Sequence, residues 1–381
     1  MARAMPIPLF DMTAQNRSLR RGLVAAFADV LESGAFVEGP FVAGFERTFA
    51  DHCRRKHCIG VGNGSDALFL ALRAAGVGPD DEVITTAFSF VATAQAIVRT
   101  GAAVRFVDIQ RDTFNLDPRL VEGLVTKRTR AIVPVHLFGR PADSRAIHRL
   151  ACRHRLAVVE DAAQACGATA DGKPVGSFGK LSCFSFYPTK NLGGLGDGGA
   201  VVTDSGYLAE RVRKLSRHAR LAKLDYAAEG FNSRLDAIQA ALLTVKLGRL
   251  PEWTQKRRQI AALYRERLAG ASVAVPTWPA DVQPAWHVFP VRVPADHRDP
   301  LQRHLHDCGV ETRVYYPRPL PRLKGFGRYV VDGQTFPETS RASQELLGLP
   351  MSPNLTAAAV GEIAAGILGY LAQTGRRYGA A

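Results

Sequence analysis

The sequence has few cysteines, no long apolar run and no secretory signal. Its six cysteines are scattered at positions 53, 58, 152, 166, 183 and 308, which in a chain of 381 residues is no disulfide framework. No apolar run approaches the length needed to span a bilayer. The first residues, MARAMPIPLFDMTAQN, lack the apolar core and cleavage site of a signal peptide. These absences predict a cytoplasmic protein with reduced thiols and no membrane contact.

Metal ions and nucleic acids also lack their usual sequence patterns. The densest group of potential metal ligands, HCRRKHC at 52–58, has no second ligand pair at a recognisable spacing, so we predict no metal site. The formal charge of +14 comes from Lys and Arg spread along the whole chain, whereas nucleic-acid binders cluster them. We therefore predict no nucleic-acid binding. A positive charge of this size is expected if the protein comes from an arginine-rich proteome, or if its electric field attracts anionic substrates.

Seven short apolar runs alternate with amphipathic stretches between about residues 57 and 250. The runs are HCIGV, DEVITTA, AVRFVDI, RAIVPVHLF, LAVVEDA, LSCFSF and GAVVTD. This alternation predicts an α/β fold with a mostly parallel seven-stranded sheet and helices on both faces. The last two runs are too close together for a helical crossover, so one of them is predicted to run antiparallel.

The pattern of the sequence changes after Pro251. A charged helical pattern, WTQKRRQIAALYRERLAG, precedes the strand pattern WHVFPVRV. HRDPLQRHLHDCGVETRVYY predicts a helix followed by a strand, and TAAAVGEIAAGILGYLA predicts a closing helix. We predict a large domain over residues 1–250, which includes an N-terminal segment, and a smaller α/β domain over residues 251–381.

One candidate anion site lies where ligands bind in open α/β sheets, beyond the carboxyl end of a strand. In CIGVGNGSDALFLAL, a strand ends at Val61 and a helix is predicted to begin around Ser65. The N–H groups and partial positive charge of a helix N-terminus bind phosphate, and glycines let the backbone approach it. The alternative is that Ser65 or Asp66 merely caps the helix.

An acid and a lysine follow two later strands. Asp161 follows LAVVE, either as a desolvated carboxylate that needs a cationic partner or as a helix N-cap. Lys190, in SFYPTKNLGGLGDGG, is either a solvated loop lysine or a partly buried amine that can form a Schiff base. The following glycines spell G-x-G-x-x-G, but a strand follows them instead of preceding them, which excludes a dinucleotide site. A phosphate site, an acid and a lysine, in that order, indicate pyridoxal 5′-phosphate (PLP).

At these residues the sequence resembles the DegT/DnrJ/EryC1/StrS family, sugar aminotransferases of fold type I. Its most specific motifs are GNGSDAL, VEDAAQACGA, FSFYPTKNLGGLGDGGAVVT and GFNSRLDAIQAALL. The resemblance implies an aspartate aminotransferase-like fold, PLP as cofactor and L-glutamate as amino donor. It also implies a keto-sugar substrate carried on dTDP or UDP, with the ketone at C3 or C4, whose product serves glycan or natural-product biosynthesis.

The resemblance implies a role for each matched residue. Lys190 is the catalytic lysine, which moves a proton as well as binding the cofactor, and Asp161 is the partner of the pyridine nitrogen. The other implied cofactor-binding residues are Gly64, Ser65 and Ser185 at the phosphate, Gln164 near the ring hydroxyl, Phe90 over the ring, and Asn232. Asn232 is expected to reach the cofactor of the other subunit in a homodimer, although it could instead cap its own helix. The expected substrate-binding residues are Tyr315, Tyr316 and Arg234.

Some positions depart from the family pattern and leave the sugar open. YYPRPLPRL has Pro321 and Leu323 where the family often has His and Gln, KLDY has Leu224 and Tyr226 in place of Tyr and His, and LPMSP has Ser352 in place of His. The TKNLGGLGDGG form favours amination at C3. Two alternative functions remain: a PLP-dependent sugar dehydratase, whose relatives replace the lysine, and a non-catalytic regulatory member of the family.

Overall fold

The computed structural model describes residues 6–222, 225–227, 229–271 and 273–374, so that Leu224 lies outside the described residues. These ranges form eleven α-helices and fourteen strands. The helices are α1 Met12–Ser33, α2 Gly39–His52, α3 Gly64–Ala74, α4 Ala92–Arg99, α5 Ser144–His154, α6 Gly206–Ser216, α7 Ala237–Leu247, α8 Leu250–Arg267, α9 Ala295–Asp307, α10 Pro337–Glu345 and α11 Ala357–Thr374. The strands are β1 His57–Val61, β2 Glu82–Thr86, β3 Ala103–Val107, β4 Thr129–Val133, β5 Ala157–Asp161, β6 Thr169–Ala170, β7 Lys173–Pro174, β8 Leu181–Ser185, β9 Gly199–Thr203, β10 Arg220–Ala222, β11 Asp225–Tyr226, β12 Val282–Gln283, β13 Phe289–Arg292 and β14 Leu346–Leu349.

The seven predicted strands form one sheet in the order β1-β9-β8-β5-β4-β2-β3. All neighbours from β8 to β3 are parallel, and β9 is antiparallel to both β1 and β8, which confirms the prediction for the last two runs. Residues 186–198 connect β8 to β9 without a helix, so the chain returns beside the strand that it has just left. The carboxyl ends of β1, β2, β4, β5 and β8 therefore lie at one edge of the sheet.

Helices cover both faces of this sheet, as predicted. In β8, Cys183 packs into the core under α3, α4 and α6, whereas its neighbour Phe184 packs into the core under α2 and α7. Because both faces are buried, the strands are apolar throughout instead of alternating. Helices α1 and α2, which precede the first strand and for which we made no prediction, pack against α7.

A separate core lies in the C-terminal part of the chain. It contains Ile260, Phe289, Leu301, Leu347 and Ile363, contributed by α8, α9, α11 and the antiparallel pair β13–β14. Helix α8 begins at Leu250, one residue before Pro251, and the division into domains at residue 250 stays a prediction. None of the helices in the described ranges combines the length and apolarity that a membrane crossing needs.

The predicted strand in ETRVYY is wrong. This segment forms only a single bridge between Arg313 and Gly348, and the partner of β13 is the unpredicted strand β14. Pro317 and Pro319 follow directly; they have no N–H to continue a ladder and restrict the residues before them. The tyrosines Tyr315 and Tyr316 leave the sheet edge here and line a cavity instead.

Candidate active site

A cavity of about 720 Å³ opens at the carboxyl edge of the central sheet. It is lined by most of the residues singled out from the sequence: Gly64, Ser65, Phe90, Asp161, Gln164, Ser185, Lys190, Tyr315 and Tyr316. Asn232 and Arg234 do not line it. The fold therefore brings three sequence motifs together around one cavity. GNGSDAL lies about a hundred residues before VEDAAQACGA, which lies about thirty residues before the lysine motif.

The N-terminus of α3 forms one wall of the cavity. The residue that caps α3 is Asn63, whose side-chain oxygen accepts a hydrogen bond from Asp66 N at 2.8 Å, so neither Ser65 nor Asp66 is the cap. The backbone N–H groups of Gly64 and Ser65 are left for an anion. A Cβ on Gly64 would lie 2.6 Å from the Cβ of Ser185, so only glycine lets the end of β8 approach this helix.

Asp161 is a buried carboxylate at the end of β5. Its two oxygens accept hydrogen bonds from the Thr93 hydroxyl at 2.7 Å and from Ala163 N at 3.1 Å. A turn follows instead of a helix, so Asp161 is not an N-cap. Burial raises the pKa of Asp161, while these two donors and the charge of Lys190 oppose that rise and favour the ionised form.

Lys190 lies on the tight loop between β8 and β9. A Cβ on Gly193 would lie 2.1 Å from the carbonyl oxygen of Pro188, which shows why the loop needs glycine. Helix α7 holds the loop at two points two turns apart: Gln239 accepts from Leu195 N at 2.9 Å, and Lys246 donates to the Gly193 carbonyl at 2.8 Å. Desolvation lowers the pKa of Lys190 to about 8, against the opposing charge of Asp161. Its amine is therefore a far better nucleophile near neutral pH than that of a solvated lysine.

Two aromatic residues and an amide complete the cavity. Gln164 accepts from Phe138 N at 2.8 Å and donates to the Tyr316 hydroxyl at 3.1 Å, which fixes the orientation of its amide. Phe90 is 56% exposed, and its ring centroid lies 6.4 Å from that of Tyr316. An aromatic ring left open beside the cavity offers a surface on which a planar ligand can stack.

Sequence reasoning missed Thr93 and His287. His287 lines the cavity, is 4% exposed and stacks on Phe10 with ring centroids 5.3 Å apart. Burial, followed by the charges of Lys190 and Arg257, lowers the pKa of His287 well below its usual value. Within the described residues its Nδ1 has no hydrogen-bond partner. Both residues lie in apolar segments, TAFSFVATA and WHVFPVRV, which indicate a buried core. Only the fold shows that their side chains belong to the site.

Asn232 and Arg234 lie outside the cavity, on the surface. Asn232 is exposed and does not cap α7, whose cap position is Asp236. Between them, Ser233 donates to Asp66 at 2.8 Å and accepts from Gly62 N at 3.0 Å, which ties this segment to the first turn of α3. Arg234 lines a separate surface pocket of about 690 Å³ together with Arg213, Lys214, Arg217, His218, Arg220 and Tyr226.

The residues of the cavity fit PLP. Gly64, Ser65 and Ser185 line the cavity at the α3 N-terminus, where a phosphate would bind. Buried Asp161 would accept a hydrogen bond from a pyridinium N–H, and Lys190 would supply an amine for the aldehyde. In the part of the chain that the structure describes, no group of three or more His, Cys, Asp or Glu side chains could hold a metal ion. The fold and the cavity define a PLP-dependent aminotransferase of fold type I.

Comparison with known proteins identifies the family. The DegT/DnrJ/EryC1/StrS aminotransferase family matches residues 18–368, and the chain belongs to this family. The chain is 46% identical to a pleiotropic regulatory protein of Geobacillus stearothermophilus, over 92% of this chain and 95% of the relative. It is 43% identical to dTDP-3-amino-3,4,6-trideoxy-alpha-D-glucose transaminase of Streptomyces venezuelae, over 92% of both chains.

Solved structures agree with this assignment. The crystal structure of DesV from S. venezuelae has a TM-score of 0.93 and 41% sequence identity, and the match covers 96% of this chain and 99% of DesV. Structural neighbours hold the cofactor in its pyridoxal and pyridoxamine phosphate forms. The cofactor of this enzyme is PLP.

Proposed function

We propose that the enzyme transfers an amino group from L-glutamate to a keto-sugar linked to dTDP or UDP, and that the ketone is at C3. The proposal rests on one observation: Lys190, whose pKa is lowered, and buried Asp161 line the same cavity as the N-terminus of α3. The 43% identical relative is a transaminase named for a dTDP-linked 3-amino sugar, which supports the substrate class and the position.

The cavity residues that match the family motifs each have a proposed part in this reaction. Bound PLP, with its ring nitrogen protonated, supplies the electron sink that makes the substrate carbon acidic. Asp161 holds the proton on the ring nitrogen, and the N–H groups of Gly64 and Ser65 bind the phosphate together with the Ser185 hydroxyl. Lys190 Nζ would hold the aldehyde and, once released, would move a proton from the α-carbon of the donor to C4′ of the cofactor. In the second half of the reaction it would move a proton from C4′ to the sugar carbon that receives the amino group. Phe90 covers the ring, and Gln164 lies near its hydroxyl.

The test of this function is a panel of dTDP- and UDP-linked 3-keto and 4-keto sugars with L-glutamate as donor. We expect mass spectrometry to detect an amino sugar, and 2-oxoglutarate to form in equal amount. Tyr315 and Tyr316, which line the cavity, are proposed to contact the sugar, so their substitution should change which ketones react. Amination of 4-keto sugars alone would contradict the proposed position.

The two alternatives are separated by direct observations. A dehydratase of this family would lack the lysine, and Lys190 is present. The regulatory alternative is suggested by the name of the 46% identical relative from G. stearothermophilus. A purified protein that binds PLP but forms no 2-oxoglutarate with any keto-sugar of the panel would favour the regulatory function.

Thr93 is proposed to position Asp161, because its hydroxyl donates to that carboxylate at 2.7 Å. We expect Thr93→Val to weaken PLP binding roughly tenfold or more, since a hydrogen bond to a charged group contributes about 1.5–3 kcal/mol. Thr93→Ser should bind PLP nearly as well as the wild type, which equilibrium titration with PLP would measure. The matched control is Thr100→Val: Thr100 is also buried at the same helix, but its hydroxyl bonds to the Ile97 carbonyl. Equal losses in both valine variants would show that Thr93 acts only on stability.

We also propose that the active unit is a two-fold dimer in which Asn232 binds the phosphate in the other subunit and Arg234 the substrate there. Asn232 and Arg234 lie outside their own cavity, although Ser233 is tied to α3. Apolar side chains at one face of α1 and after it are exposed: Val24, Phe27, Leu31, Phe36 and Val37. Exposed apolar side chains grouped in this way along the chain are typical of a subunit interface.

A mixing experiment tests the shared site. Co-expressed Lys190→Ala and Asn232→Ala subunits form mixed dimers with one intact site, so activity should recover to roughly a quarter of the wild type if subunits pair at random. The control mixes Lys190→Ala with Asp161→Asn subunits. These residues line the same cavity of one chain, so no site is restored. Recovery in neither mixture would refute the role of Asn232 in the other subunit.

We propose that the enzyme acts in the cytoplasm. All six cysteines are free thiols, and Cys152 and Cys308 are exposed, which suits a reducing compartment. Fractionation of cells that express the tagged chain would locate it.

A further inference from the structure

The cavity has three carboxylates and only two cationic side chains among the residues that line it. The carboxylates are Asp66, Asp161 and Asp197, and the cations are Lys190 and Arg313. Lys190 is committed to the cofactor, and Asp66 already pairs with Arg99 at 2.7 Å. Arg313 is therefore the one lining cation, within the described residues, that has no assigned task.

The backbone of Arg313 is rigidly placed. Its N–H donates to the Gly348 carbonyl at 3.1 Å, and its carbonyl accepts from Gly348 N at 2.8 Å, which fixes it to the end of β14. A Cβ on Gly348 would lie 2.8 Å from a Val288 methyl group and 2.9 Å from the Tyr315 ring, so this contact depends on glycine. The Arg313 side chain thus projects from a fixed point instead of from a flexible loop.

Arg313 lies at the mouth of the cavity. It also lines the neighbouring surface pocket, which contains Arg303 and Glu311. Its side chain is exposed, and no described carboxylate forms an ion pair with it. Burial raises the pKa of the Tyr315 hydroxyl, and the charge of Arg313 and its side-chain hydrogen bond to Tyr315 oppose that rise. A guanidinium at the entrance that has no carboxylate partner can take up an anion at little desolvation cost.

The chemistry of the donor identifies that anion. The amino group of glutamate must reach the cofactor beside Lys190, so its α-carboxylate lies deep in the cavity and its side-chain carboxylate lies further out. The phosphate of the cofactor is assigned above to the α3 N-terminus, so it does not need Arg313. We propose that Arg313 binds the side-chain carboxylate of the amino donor and so selects glutamate over neutral amino acids. This inference rests on the proposed function, because it takes glutamate as the donor.

Calorimetric titration with glutarate, a dicarboxylate that cannot react, tests the site without catalysis. We expect Arg313→Met to weaken glutarate binding to the PLP-loaded enzyme by about 10- to 100-fold, the size of a charge-assisted pair. Arg313→Lys should recover part of this loss. Arg303→Met is the matched control, because Arg303 is exposed in the adjoining pocket but does not line the cavity, and its affinity for glutarate should equal that of the wild type.

The two half-reactions, each followed separately by absorbance, give an independent measure. Arg313→Met should raise the glutamate concentration for half-maximal rate by a similar factor and leave the response to L-glutamine unchanged, and its effect on the keto-sugar half-reaction should be smaller than its effect on the glutamate half-reaction. Equal losses with glutamate and glutamine, a loss confined to the keto-sugar, or unchanged glutarate binding would each overturn the proposal. If the wild type does not react with glutamate, the proposed donor fails, whereas the glutarate titration still decides whether Arg313 binds a carboxylate.

Discussion

Lys190→Ala should abolish the absorption band of the covalent link between lysine and cofactor and lower turnover by roughly 10³-fold or more. In the proposed mechanism this amine both binds the cofactor covalently and moves the proton, and general acid–base catalysis alone contributes about 10²–10⁴-fold. Absorbance spectra and the rate of 2-oxoglutarate formation would measure the two effects. Because the proposed phosphate site at Gly64 and Ser65 is unchanged, PLP should still bind, but reversibly and without the covalent link.

Lys246→Met is the matched control for this prediction. Lys246 is also buried, with a pKa lowered to about 8 by desolvation, but it bonds to the Gly193 carbonyl and does not line the cavity. The control should keep the visible band. Loss of the band in Lys246→Met but not in Lys190→Ala would reverse the assignment of the two lysines.

The lowered pKa of Lys190 also predicts how the apoenzyme takes up its cofactor. Only the neutral amine attacks the aldehyde, so the rate of covalent binding should rise with pH and level off above about 8. A solvated lysine would keep the rate rising to above pH 10. Stopped-flow absorbance after mixing apoenzyme with PLP distinguishes the two profiles.

Asp161→Asn should keep the covalent link to the cofactor but lower kcat by roughly 10²–10³-fold, the usual effect of removing a preorganised electrostatic group. An amide cannot hold the ring nitrogen protonated, whereas the carboxylate, favoured in its charged form by Thr93 and Ala163 N, can. Absorbance spectra would show the retained link, and steady-state kinetics would give kcat and KM separately.

Asp108→Asn is the control for this substitution. Asp108 is also a buried carboxylate just beyond a strand of the same sheet, but it accepts hydrogen bonds from Thr339 and Glu338 N and does not line the cavity. We expect a lower melting temperature with kcat close to that of the wild type. If Asp161→Asn instead lost stability and kept kcat, Asp161 would be a structural residue.

The local sequence predicted the elements that are apolar throughout or regularly periodic. The seven strands follow from buried apolar runs, and the short 13-residue connection that carries Lys190 shows that one of the last two strands is antiparallel. Only the structure shows that this strand is β9. Helix α3 was predicted, but its cap is Asn63 instead of Ser65 or Asp66, because several adjacent residues can cap and only the backbone conformation selects one. The strand predicted in ETRVYY failed because the prolines after it and the cavity beside it outweigh β propensity.

The sequence by itself determined the chemistry. Three groups indicate PLP because each follows a strand and each binds one part of that cofactor. They are the phosphate site in GNGSDAL, the carboxylate of Asp161 and the amine of Lys190. Only the tertiary structure decided which other side chains share the cavity. Thr93, His287 and Arg313 lie far from the motifs along the chain, and the crossings of the sheet and the edge of β14 bring them together. The physical reason is that local patterns report burial and backbone conformation, whereas hydrogen bonds, desolvation and charge pairing depend on which distant segments come into contact.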